Sequence, residues 1–141
     1  MPKSKPLKII IDTNLWISFV ISHKLDIIDS LLFSFKARLL FSSELIDEIQ
    51  ETIAKPRLKK YFGVNGIEVM LSKFEPFTDL VEVESTVLIC RDPKDNFLLA
   101  LAKDGKADYL LTGDLDLLEL KKFGRAKIVT IATFLEITKN H

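Results

Sequence analysis

Residues 92–114 read DPKDNFLLALAKDGKADYLLTGD, and the fold follows from how that stretch divides. Asp92 can cap a helix, Pro93 suits a first turn, and Gly105 falls just past the apolar run FLLALA. The segment therefore predicts a helix with both ends marked. DYLLTG, residues 108–113, then reads as a short buried strand, and Asp114 follows it at once. A helix that delivers a dry strand ending in a carboxylate is one half of a parallel α/β unit.

The same junction of strand and acid occurs near the start. LKIII, residues 7–11, is an apolar run of the buried-strand kind, and Asp12 follows it with Thr13 and Asn14 behind. NLWISFVIS and LDIIDSLLFSFKA read as helices, the second with Ile27, Ile28, Leu31, Leu32 and Phe35 at helical spacing. RLLFS predicts a strand, and SSELIDEIQETIAK a helix that stops near Pro56. RLKKYF and GIEVMLSKFEPF predict further helices, with Gly63 and Gly66 as punctuation. LVEVE, residues 80–84, alternates like a strand. DLDLLELKKF, residues 114–123, predicts a helix, AKIVTI a last strand and ATFLEITKN a closing helix. Strands alternate with helices along the chain, so residues 1–141 are expected to form a single α/β domain around a mainly parallel sheet.

The totals narrow the function classes. Hydrophobic residues make up 48% and charged residues 28%, a soluble globular profile. The 20 basic and 20 acidic side chains cancel, which excludes a whole-surface attraction for nucleic acid and leaves local patches. Cys90 is alone, so no intramolecular disulfide forms, and with His23 and His141 as its companions a structural zinc site is out of reach. The start, MPKSKPLKIIID, lacks the apolar core of a signal peptide, and no uncharged run approaches the roughly 18 apolar residues of a membrane helix. The expected location is the cytoplasm.

The acids carry the chemistry. Ligands of an open parallel sheet bind beyond the carboxyl ends of its strands, where Asp12 and Asp114 both fall. Two carboxylates at one sheet edge repel unless a cation lies between them; the alternative for each is helix capping. Asp92 reads as a cap. Asp95, one turn into the helix and beside Asn96, can gain from the helix dipole with its oxygens toward the sheet edge. On SSELIDEIQETI, Leu45, Ile46, Ile49 and Ile53 define the buried stripe. At about 100° per residue, Glu48 lies roughly 115° from its centre, and Glu44, Asp47 and Glu51 roughly 145° or more. Glu48 thus ranks first of these acids, with a solvated surface position as its alternative. Oxygen donors without nitrogen or sulfur partners suit Mg²⁺ or Mn²⁺, which commonly serve phosphoryl chemistry. Two basic groups could touch a phosphate backbone or could simply be solvated: Lys55, Arg57, Lys59 and Lys60, and Lys121, Lys122, Arg125 and Lys127.

IIIDTNLWISFV, SSELIDEIQETIAKPRL, DPKDNFLLALAKDGKADYLLTGDLDLL and IVTIATFLE, in this order from about Lys8 to Ile137, resemble the PIN domain family. The branch is that of the toxins of toxin–antitoxin pairs, the VapC-like ribonucleases. The resemblance implies a three-layer α/β/α sandwich with a sheet of about five strands. It also implies a Mg²⁺- or Mn²⁺-dependent endoribonuclease that hydrolyses RNA phosphodiester bonds. Matched by motif, its acids are Asp12, Glu48, Asp95 and Asp114, with Asp116 as a possible fifth ligand and Asn14 and Thr112 as orienting residues. Asp114 stands where many family members carry Asn, which keeps the site anionic. A cognate antitoxin and a homodimer are implied as partners; LDIIDSLLFSF could supply a dimer surface, although core is its commoner use.

Two doubly wound neighbours fit less well. A two-component receiver wants paired acids after the first strand and a Lys after the last, whereas the chain has IDT and ATF there. A DxDxT phosphatase fails because the sequence reads DTNLW. The stronger alternative is a PIN-like module that binds protein or RNA without cleaving it.

Overall fold

The computed structural model describes residues 6–35, 37–63, 68–90 and 92–138. Its centre is a six-stranded sheet. The strands are β1 (Lys8–Ile11), β2 (Arg38–Phe41), β3 (Thr78–Leu80), β4 (Tyr109–Leu111), β5 (Lys122–Phe123) and β6 (Ala126–Val129). Their spatial order is β3-β2-β1-β4-β6-β5; all neighbours are parallel except β5, which runs against β6. Around the sheet lie α1 (Thr13–Ile21), α2 (Leu25–Phe35), α3 (Ser43–Ile53), α4 (Pro56–Phe62), α5 (Glu68–Phe74), α6 (Asn96–Gly105), α7 (Leu115–Leu118) and α8 (Ile131–Thr138). The mainly parallel sheet and its flanking helices match expectation, with six strands in place of about five. Of the expected helix over residues 66–77, residues 66–67 lie outside the described residues, as does the Phe35 side chain.

The order of the strands decides where a ligand can bind. The chain lays down β1, β2 and β3 in one direction, then crosses back to place β4 on the other side of β1. Such a reversal opens a crevice at the carboxyl ends of the two strands that flank it. Asp12 follows β1 and Asp114 follows β4, so both stand at this switch point. α6 feeds the amino end of β4, which puts its first turn, with Asp95, at the same carboxyl end.

The strands are dry. Ile9, Ile10, Ile11, Leu39, Leu40, Leu110 and Leu111 are all at most 2% exposed, as a parallel sheet covered on both faces requires. Trp16 of α1 stacks on Phe41 at 5.5 Å and meets Phe74 of α5 at 5.9 Å, tying helices on either side of the sequence to the end of β2. Arg38 grips Asp79 and the carbonyls of Pro76 and Thr78, which fastens the short strand β3 to β2.

Three local readings change. The strand expected over residues 80–84 lies at Thr78–Leu80; Val81 still donates to the Phe41 carbonyl, but residues 82–90 leave the sheet. The helix expected over residues 114–123 is one turn long, and Lys122–Phe123 turns back as an edge strand through Gly124 and Arg125. Gly124 has φ +59°, the positive value that a two-residue hairpin turn takes at its first position when that residue is glycine. Gly105 is the last residue of α6, and Lys106 takes the left-handed conformation after it with φ 54°. What Gly105 supplies is room: a Cβ there would lie 2.8 Å from Leu40 Cδ1 and 3.3 Å from Val81 Cγ2.

Candidate functional site

Asp12 is 6% exposed and ends a strand of isoleucines. It caps α1, its Oδ1 accepting the Leu15 N–H at 2.8 Å, and its Oδ2 accepts the Thr112 hydroxyl. Capping and site membership are therefore not alternatives: one oxygen serves the helix and the other faces the neighbouring strand. Burial pushes the Asp12 carboxyl up; the Thr112 and Leu15 bonds pull it back down, and the charge of Asp114 raises it again.

Asp114 is built the same way. It caps the single turn α7, its Oδ1 accepting the Asp116 N–H at 2.8 Å, while its own N–H donates to Thr112 Oγ1 at 3.0 Å. Thr112, 1% exposed, thus bridges the ends of β1 and β4 through one hydroxyl. Asp92 caps the 3-10 turn Pro93–Asp95, accepting the Lys94 N–H at 3.0 Å. That turn brings Asp95 beside Asp114. Asp95 is pushed up to about 7, first by burial, then by hydrogen-bonding contact with the Asp114 carboxyl, then by the charges of Asp114, Asp92 and Asp12. Asp95 and Asp114 repel each other when both are charged, which favours the protonated form of Asp95. Asp95 Oδ2 is buried with no hydrogen-bond partner.

A cleft of about 380 Å³ opens here, lined by Asp12, Asn14, Leu15, Ser18, Gly113 and Asp114. A larger groove of about 490 Å³, lined by Phe41, Ile46, Leu71, Ser72, Glu75, Thr78 and Leu80, carries one carboxylate and none of the aspartates. The smaller cleft is the one lined by the aspartates at the switch point.

Asp12, Asp95 and Asp114 are brought together, with Thr112 between two of them and Asn14 on the rim. Asp116 is held to Asp114 through its backbone. Glu48 is half-buried on α3, as its angle on the helix predicts, but it is not among the leading charges acting on Asp12 or Asp95. Arg57, Lys59 and Lys60 are exposed on α4. Lys122 and Arg125 belong to the β5–β6 hairpin, whose turn lies at the amino end of β6, the opposite end of the sheet from the aspartates. Arg125 is engaged there by Asp108 at 3.0 Å.

Two neighbours of the site had no signal in the sequence. The Cys90 thiol is pushed up to about 11 by burial and by the charges of Asp95, Asp114, Asp92 and Asp116. Its N–H donates to Asn96 Oδ1 at 2.9 Å, which pins the end of segment 81–90 to the first turn of α6. The other end is clasped by Asp104, which accepts the N–H groups of Glu84 and Ser85 and the Ser85 hydroxyl.

Among the described residues, no three Asp, Glu, His or Cys side chains stand as they are in a metal-holding array. The chemistry of the cluster still fits a hard cation: its donors are oxygens, Asp12 and Asp95 are raised by burial and then by neighbouring carboxylates, and one buried oxygen of Asp95 has no partner.

A family model described as PIN domain matches residues 8–116. An uncharacterised protein of Methanocaldococcus jannaschii is 33% identical over 119 residues, covering 82% of this chain and 76% of that protein. Among solved structures, a chain from the crystal structure of VapBC2 from Rickettsia felis, bound to a DNA fragment from their promoter, superposes with a TM-score of 0.60. It is 13% identical and covers 86% of this chain and 97% of that one, a likeness of fold.

Proposed function

The chain belongs to the PIN domain family, and from that premise we propose that it is a divalent-cation-dependent endoribonuclease acting in the cytoplasm. The observation that carries the reading is the Asp12–Asp95–Asp114 cluster at the switch point, where one buried oxygen of Asp95 has no partner and burial and neighbouring carboxylates raise Asp12 and Asp95. Asp12, Asp95 and Asp114 would hold Mg²⁺ or Mn²⁺, with Asp116 and Glu48 as outer contributors. Once bound, that ion would neutralise charge on the phosphoryl oxygens and lower the pKa of water.

The remaining work falls to the chain itself. Thr112 fixes the spacing of Asp12 and Asp114, so the donors are oriented beforehand. Asp95 loses its proton when a cation replaces it, so loading releases hydrogen ions. Asn14, exposed on the rim of the cleft, is placed to orient a phosphate. Cleavage of RNA with Mn²⁺ present is the test: Asp12→Asn should abolish it while the fold persists, because a crowded charge has been removed. An Asp12→Asn protein that cleaves at the wild-type rate overturns the reading.

The Rickettsia felis structure is of VapBC2 bound to a DNA fragment from their promoter, and the motifs of this chain resemble the toxins of toxin–antitoxin pairs. By that likeness of fold and the family motifs, the proposed role is the toxin of such a pair, with an antitoxin and a second copy of the chain as partners. A second reading, a module that binds RNA or protein without cleaving, is favoured by the lack of a ready ligand array among the described residues. No cleavage by the wild-type protein over a full Mn²⁺ and Mg²⁺ titration would select it.

A further inference from the structure

The β5–β6 hairpin sets two lysines face to face. Lys122 and Lys127 are register partners. The Lys122 N–H donates to the Leu120 carbonyl at 2.6 Å and the Lys127 N–H to the Asp108 carbonyl at 3.0 Å, so the pair exchanges no backbone bonds. Cross-strand pairs of that kind bring their side chains closest, with Cα atoms about 4.5 Å apart. Like charges placed there are destabilising. Both lysines are exposed, and so is Lys121 beside them. Among the described residues none of the three forms an ion pair, while the neighbouring Arg125 is already held by Asp108.

The row continues inward. Lys127 is in register with Tyr109, and Tyr109 with Ile9. The half-buried Tyr109 ring meets Phe134 edge-on at 4.8 Å. A repulsive, unneutralised pair at the free end of a sheet fits an external polyanion, which would remove the repulsion it meets. Position argues for which one. Asp12 lies three residues beyond Ile9 along β1, about 10 Å up the sheet, and β6 is two strands over, about another 10 Å across. The lysines therefore stand on the order of 15–20 Å from the aspartates. The pocket itself repels phosphates until a cation is bound, and the chain as a whole has no net charge to attract them. Affinity for a strand must come from elsewhere on the molecule.

We infer that Lys122 and Lys127, with Lys121, bind the phosphate backbone of single-stranded RNA flanking the bond presented to the aspartates. The inference rests on the ribonuclease reading for its substrate, but its test does not need turnover. Binding of an unstructured RNA of about 20 nucleotides is followed by fluorescence anisotropy across a salt series, using protein that carries Asp12→Asn so that the RNA stays whole. Adding Lys122→Gln and Lys127→Gln should weaken binding several-fold at low salt. It should also reduce the slope of log K against log salt by about 1.4, about 0.7 for each phosphate of a single strand that is no longer neutralised. The melting temperature should rise as the repulsion disappears, which separates weaker RNA binding from a damaged fold. Lys122→Glu should likewise weaken binding while raising the melting temperature, since it pairs with Lys127. Unchanged affinity and slope, or no RNA binding by the Asp12→Asn parent, overturns the assignment. So does a slope change confined to Lys59→Gln with Lys60→Gln on α4. Failure of the wild-type protein to cleave would count against the ribonuclease reading alone.

Discussion

The Thr112 hydroxyl donates to Asp12 Oδ2 from the end of the neighbouring strand, and the same oxygen accepts the Asp114 N–H at 3.0 Å. One side chain therefore sets the distance between two acids that are 102 residues apart in the chain (114 − 12). Thr112→Val keeps the shape and removes both bonds, leaving a buried carboxylate oxygen and an N–H without partners. It should cost about 1–3 kcal/mol in urea unfolding and weaken Mn²⁺ binding, whereas Thr112→Ser should stay close to wild type. Equal stability of the Val and Ser variants would show that the bridge contributes nothing.

The raised carboxyls predict an unusual pH dependence for the metal-free protein. Asp95 is at about 7 in the folded chain against an ordinary 3.8, and Asp12 is raised too. Between those values the folded state binds more protons than the unfolded one, so stability falls as pH rises from about 4 to about 7. Melting in EDTA should therefore occur at a lower temperature at pH 7.5 than at pH 5, and Asp95→Asn should flatten the trend. Mn²⁺ at pH 7.5 should restore the melting temperature and release protons. Asp104 is lowered by its bonds to Ser85 and Glu84, so its contribution is complete above about pH 4 and lost below it, outside this window. A melting temperature that climbs from pH 5 to 7.5, in wild type and variant alike, would contradict the account.

Gly105→Ala sets helix propensity against packing. Alanine is worth about 1 kcal/mol over glycine inside a helix. The added methyl would stand 2.8 Å from Leu40 Cδ1, and Leu40 is 2% exposed with nowhere to retreat. Overpacking of that kind costs about 1–3 kcal/mol, so the variant should be less stable in denaturant titration. A stabilised Gly105→Ala would mean that Leu40 repacks freely.

The clasp on segment 81–90 can be followed residue by residue. Asp104→Ala removes the acceptor for the Glu84 and Ser85 N–H groups and the Ser85 hydroxyl. Hydrogen exchange should accelerate at Glu84 and Ser85 while the amides of β1 and β4 stay protected. Acceleration spread evenly over the sheet would instead make Asp104 a support of the whole fold.

The core of the fold was legible because two unambiguous signals repeat. Dry runs before Asp12 and Asp114, and the Asp92–Pro93 start of the next helix, each leave one local solution. The hairpin was not legible, because the leucines of DLDLLELKKF recur at helical spacing and outweigh the short FGRA turn. The strand at Thr78–Leu80 begins two residues before the alternating run for a related reason. Val81 and Val83 are half-buried against the core, so the alternation outlasts the ladder. At the site, strand ends located Asp12 and Asp114, and the helical angle gave the burial of Glu48. No periodicity could place Cys90, which reaches the aspartates through a segment without regular structure, or assign Asn96 the task of holding it.

The two margins of the sheet limit how copies of the chain can meet. β3 spans three residues and β5 two, the latter with a lysine on it. A strand added at either margin would gain too few backbone bonds to stay, which protects the chain against fibril-like growth at high concentration. Pairing of two copies therefore gains little from sheet extension, and its strength would depend on side chains elsewhere on the surface.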